Sequence, residues 1–285
     1  MANNITIEIQ SRALKILRVF QDICNKHGLL YYAIGGTCIG AIRHQGFIPW
    51  DDDIDVAMPY PDYCELLSIC ESELPSPYSI IGPQNCIHYT MNYIKIHDES
   101  TCFVEKTVQK YKDRYCGIYI DVFPVFGLPK DEKEREKIRD RNELLKRVNI
   151  RRRFPISEEV SFKGRLFWLL HSPNKLFRSY HFYSDLQEKE LGNYPFDCSD
   201  KVFFSWRMKP EKNTRALYKD VFFYDDFKSS VELPFEDGMI KVPVGYQRYL
   251  KMDFGDYMVL PPKEKQISVH PSAIIDFEKS FREYI

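Results

Sequence analysis

The sequence predicts an α/β (α+β) fold, a mixed sheet flanked by helices and carrying a helical insertion. Three observations lead there. Apolar residues at Ile9, Ala13, Ile16, Phe20 and Ile23 are spaced by four, three, four and three, which puts them on one helical face. Apolar runs at 29–34, 56–58 and 93–96 have strand length, and Tyr93, Ile94, Lys95 and Ile96 alternate as a half-buried strand does. Between the second and third runs, Tyr63, Leu66, Leu67, Cys70 and Leu74 repeat the helical spacing, opened by Pro59-Tyr60-Pro61 and closed by Pro75 and Pro77.

With 285 residues and 44% hydrophobic content, the chain can bury a substantial core. One domain over 1–285 is expected, with a core of 9–129 and 200–285 and a variable insertion at 130–199. A net charge of −1 gives no overall pull toward nucleic acid, and no such partner is expected. The eight cysteines are scattered without a Cys-x-x-Cys pair and no secretory signal precedes them. No apolar run nears the ~20 residues of a membrane helix. Reduced thiols and a cytoplasmic location are therefore expected, with peripheral contact at the inner membrane face considered below.

Gly28, just after His27, suits the cap of the first helix, which should pack on the sheet beginning at Leu29. That strand runs into Gly35-Gly36-Thr37 and a short helix-compatible piece through Gly40. A Pro49-Trp50 break then leads into Asp51-Asp52-Asp53-Ile54-Asp55 and the next strand. Backbone without side chains lets a phosphate approach, and a helix N-terminus favours negative charge. On a strand, residues i and i+2 share a face, so Asp53 and Asp55 should project together while Ile54 and Val56 enter the core. Carboxylates held that close repel unless a cation sits between them, and a divalent ion carrying a nucleotide phosphate is the natural occupant. An acidic run can be only a solvated turn, and a glycine pair only a turn signal. Their order along the chain favours a metal-nucleotide site.

From Gly36 to Asp55 the chain reads Gly-Thr-x-x-Gly-Ala-x-Arg-His-x-Gly-Phe-Ile-Pro-Trp-Asp-Asp-Asp-Ile-Asp. This resembles the signature of the LicD family, phosphotransferases on a nucleotidyltransferase-type fold that include the bacterial phosphocholine transferases; the fukutin-related proteins are more distant. The resemblance covers 9–126 and 235–270. It implies transfer of a phospho-alcohol, phosphocholine first, from CDP-choline or another CDP-alcohol. The acceptor would be a hydroxyl of a cell-surface glycan or its lipid-linked precursor, and CMP would leave. It also implies Mg²⁺ or Mn²⁺ at Asp53, Asp55 and Asp121, with Asp51 as a further ligand. Substrate contacts would come from Gly36, Thr37, Gly40, Arg43, His44, Trp50, Lys95 and His270. Trp50 or the late tyrosines would offer aromatic faces to a choline headgroup.

Asp121 stands alone in the apolar run 117–124, where a carboxylate is costly to bury unless paired or metal-bound. It is the candidate third carboxylate, and it or Asp53 the base for the attacking hydroxyl. An acidic residue is common in the family where this chain has Phe126. Lys95, Asp98 and Thr101 match a lysine, acidic residue and threonine that recur in the family, and Lys95 would steady a phosphate as a point charge; the alternative is an exposed strand lysine.

Residues 130–150 suit a solvated helix. Over 141–181 ten basic residues stand against three acidic ones, a net +7, beside an apolar block at 162–170. This stretch is read as contacting an anionic membrane or an anionic acceptor, or else as a packed insertion. The aromatic segment 236–260 again resembles the family, whose basic residue and histidine pair are represented here by Gln266, Val269 and His270. Two other functions use the same residues less well. Nucleotidyl transfer to RNA or a small molecule lacks a wider basic surface, and an inactive scaffold has no need to keep three costly aspartates.

Overall fold

The computed structural model describes residues 4–154, 179–197, 200–204, 221–268 and 270–285. Helix α1 (Asn4–His27) extends the periodic stretch at both ends and buries Ile9, Ala13, Ile16, Leu17, Phe20, Ile23 and Cys24. Gly28 ends it at φ +67°, a conformation that only glycine adopts without strain. The apolar run that follows pairs only as β1 (Tyr32–Ala33). Next come α2 (Gly35–Arg43), β2 (Asp55–Pro59), α3 (Tyr60–Glu73), β3 (Tyr78–Ile81), β4 (Ile94–Asp98), β5 (Cys102–Glu105) and β6 (Tyr119–Gly127). The second half holds α4 (Glu132–Arg153), α5 (Phe182–Gly192), β7 (Lys201–Phe204), β8 (Val221–Phe223) and α6 (Tyr224–Phe227). It ends with β9 (Ser230–Phe235), β10 (Gly238–Pro243), α7 (Tyr246–Phe254) and β11 (Ser272–Asp276).

The main sheet has seven strands and is built around β6, every residue of which is buried. Burial on both faces explains why β6 reads as an apolar run and not as an alternating one. On one side β2 runs parallel to it, Asp55 to Pro59 opposite Asp121 to Val125. The other side carries two antiparallel strands end to end: β4 along the first half of β6 and β7 along its last three residues. β1 extends the sheet beyond β2, β3 beyond β4, and β8 beyond β7. The mixed α/β architecture expected from the sequence is thus observed. Helices α1 and α3 pack on β6, while β9–β10 and β5–β11 form two separate two-stranded sheets, the first packed on β1 and α2.

Helix α4 is capped by Asp131, whose Oδ1 accepts from the Glu134 N–H at 2.8 Å. It is less solvated than its charge suggests, because Leu145, Val148, Asn149, Arg152 and Arg153 are buried against α5 and the segment 83–89. Arg153 donates to the carbonyls of Cys86 and Tyr89 and to Ser184 Oγ. Arg141 pairs with Glu190 at 3.0 Å. These cations of the basic stretch face protein. The apolar block at 162–170, with Lys163, Arg165, Lys175 and Arg178, lies outside the described residues, as does Cys198. The other cysteines are unpaired thiols. Among the described residues no helix is long and apolar enough to cross a membrane.

Candidate active site

The parallel register of β2 on β6 sets Asp55 directly opposite Asp121, and the Asp121 N–H donates to the Ile54 carbonyl at 2.9 Å. Ile54 and Val56 are fully buried on the core side, as expected. The strand begins only at Asp55, so strand alternation is not what aligns Asp53 with it. The segment 51–54 is instead pinned from outside: Gln10 Nε2 donates to the Asp51 carbonyl at 2.7 Å, and the Asp55 N–H donates to Thr37 Oγ1 at 2.8 Å. As a result, one carboxylate oxygen from each of Asp53, Asp55 and Asp121 lies within 4.8 Å of the others.

The glycine pair is bare because these carboxylates lie against it. A Cβ on Gly35, which sits at φ +54°, would stand 3.3 Å from Asp55 Oδ2, and one on Gly36 would stand 2.3 Å from Asp51 Oδ2. Gly40 answers to packing, since a Cβ there would meet the Gly46 carbonyl at 2.5 Å. Thus the start of α2 (Gly36, Thr37) shares a place with the aspartates. Arg43 ends this nine-residue helix, about 12 Å further along its axis. There it donates to the Tyr257 carbonyl at 2.8 Å, and the neighbouring His44 meets Trp50 edge-on at 6.5 Å. Of the late tyrosines, Tyr249 is fully buried and its hydroxyl accepts from the Gly35 N–H.

Two cations flank the acidic group. Lys95, in register with Asp121 on β4, is buried, so the exposed alternative does not hold. Its Nζ lies 3.0 Å from Asp121 Oδ1 and donates to Oδ2 at 3.3 Å. Asp98 and Thr101 shape the turn after β4: Thr101 Oγ1 donates to the Asp98 carbonyl and accepts from the Ile118 N–H. On the other flank, His270 Nδ1 lies 3.1 Å from Asp52 Oδ1 and 3.7 Å from Asp53 Oδ2. Ser268 Oγ donates to Asp52 Oδ2 at 2.6 Å. Nothing local to Asp52 or Ser268 in the sequence points to a partner so far along the chain. Gln266 bonds the Pro261 carbonyl, while Val269 lies outside the described residues. Phe126 is apolar core, its ring 4.6 Å from that of Tyr60.

Burial dominates the electrostatics. It raises Asp51, with help from Asp53, to about 8. It raises Asp53 against the pull of His270, and raises Asp55 well above the usual carboxylate range with help from Asp53 and Asp121. Asp121 rises to about 6, burial outweighing the Lys95 ammonium. Burial would lower His270, but Asp52 and Asp53 outweigh it and lift the imidazole to about 9. The cluster is therefore short of positive charge. Asp121 Oδ1 is buried and takes no well-directed hydrogen bond. Hard oxygen donors short of positive charge suit a divalent cation, and Asp53, Asp55 and Asp121 fit one.

Known proteins resemble this chain. The family described as "LicD/FKTN/FKRP, nucleotidyltransferase domain" matches residues 28–167. The chain is 29% identical to the lipopolysaccharide cholinephosphotransferase LicD of Haemophilus influenzae over 282 residues, covering 92% of this chain and 95% of that protein. It is 30% identical over 116 residues to an uncharacterized protein of Rickettsia prowazekii, covering 39% of each.

Proposed function

The chain belongs to the LicD family, and from that premise we propose that it moves phosphocholine from CDP-choline to a hydroxyl of a cell-surface glycan such as lipopolysaccharide, releasing CMP. The observation that carries this reading is the trio Asp53, Asp55 and Asp121 gathered at the bare N-terminus of α2. The trio, with Asp51 beside it, would hold Mg²⁺ or Mn²⁺, which when bound neutralises charge on the donor pyrophosphate.

The remaining work falls to the chain itself. Gly35 and Gly36, lacking side chains, let the Asp55 and Asp51 carboxylates lie against the start of α2, beside the trio that would hold the cation. Thr37 fixes the start of β2 and so the aim of Asp55. Asp53 or Asp121 takes the proton of the acceptor hydroxyl. The new P–O bond forms as the bond to the CMP oxygen breaks. His270 holds Asp52 and balances charge beside Asp53. An acceptor carried on lipid would meet the enzyme at the membrane face. Contact through 141–181 would then rest on its cations other than Arg141, Arg152 and Arg153.

Nucleotidyl transfer would use the same carboxylates but give a different product. The test is to supply CDP-choline, Mg²⁺ and lipopolysaccharide, singly and together, and to measure CMP. CMP released only by the full mixture, with choline phosphate on the glycan, supports the proposal. Absence of CMP with every CDP-alcohol, alongside pyrophosphate from a nucleoside triphosphate, would favour the other reaction.

A further inference from the structure

The mechanism above leaves unused a group lying directly behind Asp121. Lys95 Nζ is shared between two carboxylates, 3.0 Å from Asp121 Oδ1 and 3.8 Å from Glu105 Oε1, and sits 3.2 Å from the centroid of the Tyr119 ring. The Tyr119 hydroxyl donates to Glu105 Oε1 at 2.9 Å. Glu105 closes β5 and is held by the β5–β11 ladder opposite Ser272, so its backbone is fixed independently of the carboxylate trio. A cavity of about 10 Å³, lined in part by Lys95, Glu105, Tyr89 and Arg114, backs the group. That is room for roughly one water beside the ammonium.

We propose that Glu105, braced by Tyr119, is a positioning residue for phosphotransfer: it holds the Lys95 ammonium between itself and Asp121, leaving Asp121 able to share the divalent cation with Asp53 and Asp55. The inference rests on the cation reading of the trio. Its physical basis is competition. An ammonium with two counter-ions neutralises both in part, whereas one with a single counter-ion engages it fully and opposes a metal at the same carboxylate. Partners standing behind a metal ligand typically change affinity or activity roughly 10–100-fold when removed.

The test measures Mn²⁺ binding to the substrate-free protein by electron paramagnetic resonance, with thermal melting to confirm the fold. Glu105→Gln should weaken Mn²⁺ binding by roughly 10–100-fold. Its turnover should recover as Mg²⁺ is raised, and its KM for CDP-choline should stay near wild type. Tyr119→Phe should shift binding in the same direction by less, and it carries the test if Glu105→Gln does not fold. In a Lys95→Met background Glu105→Gln should change nothing further, because it acts through the lysine. Wild-type Mn²⁺ affinity in Glu105→Gln, or an equal loss with and without Lys95, overturns the inference and leaves the cation site standing. No Mn²⁺ uptake by the wild-type protein overturns the cation reading and this inference with it.

Discussion

Asp121 stands in register with Asp55 across the parallel pair β2–β6, so two carboxylates face one another through backbone pairing and not through loop conformation. Neither can retreat without unpairing the sheet. Burial raises both, Asp121 to about 6 and Asp55, with help from Asp53 and Asp121, well above the usual carboxylate range. A site built this way stores repulsion that a cation relieves.

Replacing Asp53 or Asp55 by Asn removes ligand charge at constant volume. Transfer should fall by ~10²-fold or more, beyond what partners behind a ligand cause. Melting without added cation should hold or rise, because a like charge has gone. CMP release and thermal melting measure the two effects, and near-wild-type turnover would overturn the ligand assignment. Asp121→Asn should behave likewise; turnover that survives at saturating Mg²⁺ would mark Asp121 as a ligand and leave Asp53 as the base.

The two glycines of α2 should separate site from scaffold. A methyl on Gly36 meets the Asp51 carboxylate, and one on Gly40 meets the Gly46 backbone carbonyl. Gly36→Ala should keep its fold and lose turnover as Asp51 is displaced. Gly40→Ala should lose about 1–3 kcal/mol of stability through overpacking against backbone that cannot step aside. Urea unfolding beside turnover reads both, and the reverse assignment of effects would refute this division.

His97 should make stability depend on pH. Burial lowers its imidazole to about 4, and its nitrogens are engaged with Ser79 Oγ and the Gly117 N–H. The folded form keeps it neutral while the unfolded chain protonates near 6.5. Its contribution is therefore complete above about 6.5 and lost as pH falls toward 4, about 3 kcal/mol in all. The raised carboxylates act in the opposite sense, so the comparison is between wild type and His97→Gln. Urea unfolding at pH 7.5 and 4.5 should show the variant losing less stability on acidification, or gaining more, than wild type, and parallel dependences would exclude the role.

Arg153 should behave as a clamp. Arg153→Leu strands the Tyr89 carbonyl and Asn149 Oδ1 in a buried place, while the Cys86 carbonyl keeps the Tyr89 N–H and Ser184 Oγ keeps Asn149 Nδ2. A loss of about 3 kcal/mol or more is expected, at about 1–3 kcal/mol for each unsatisfied group. Mn²⁺ affinity should not change. A stability within 0.5 kcal/mol of wild type would show that water replaces the arginine.

Much of this molecule was legible in its sequence, where the signal was local. The period of Ile9 to Ile23 identified α1, the order Gly-Gly-Thr to Asp-x-Asp located α2 and β2, and an aspartate in an apolar run marked Asp121. Each depends on neighbours within a few residues, which is the range over which backbone period and side-chain type are coupled. Tertiary structure alone decided the rest. It shortened the run at 29–34 to a two-residue pairing and set Asp55 and Lys95 on either side of Asp121. It also buried Arg152 and Arg153 in a stretch whose charge suggested a surface. His270 reaches Asp52 across 218 residues of chain. Such contacts are set by strand register and by which surfaces the core leaves adjacent, and no local period records either.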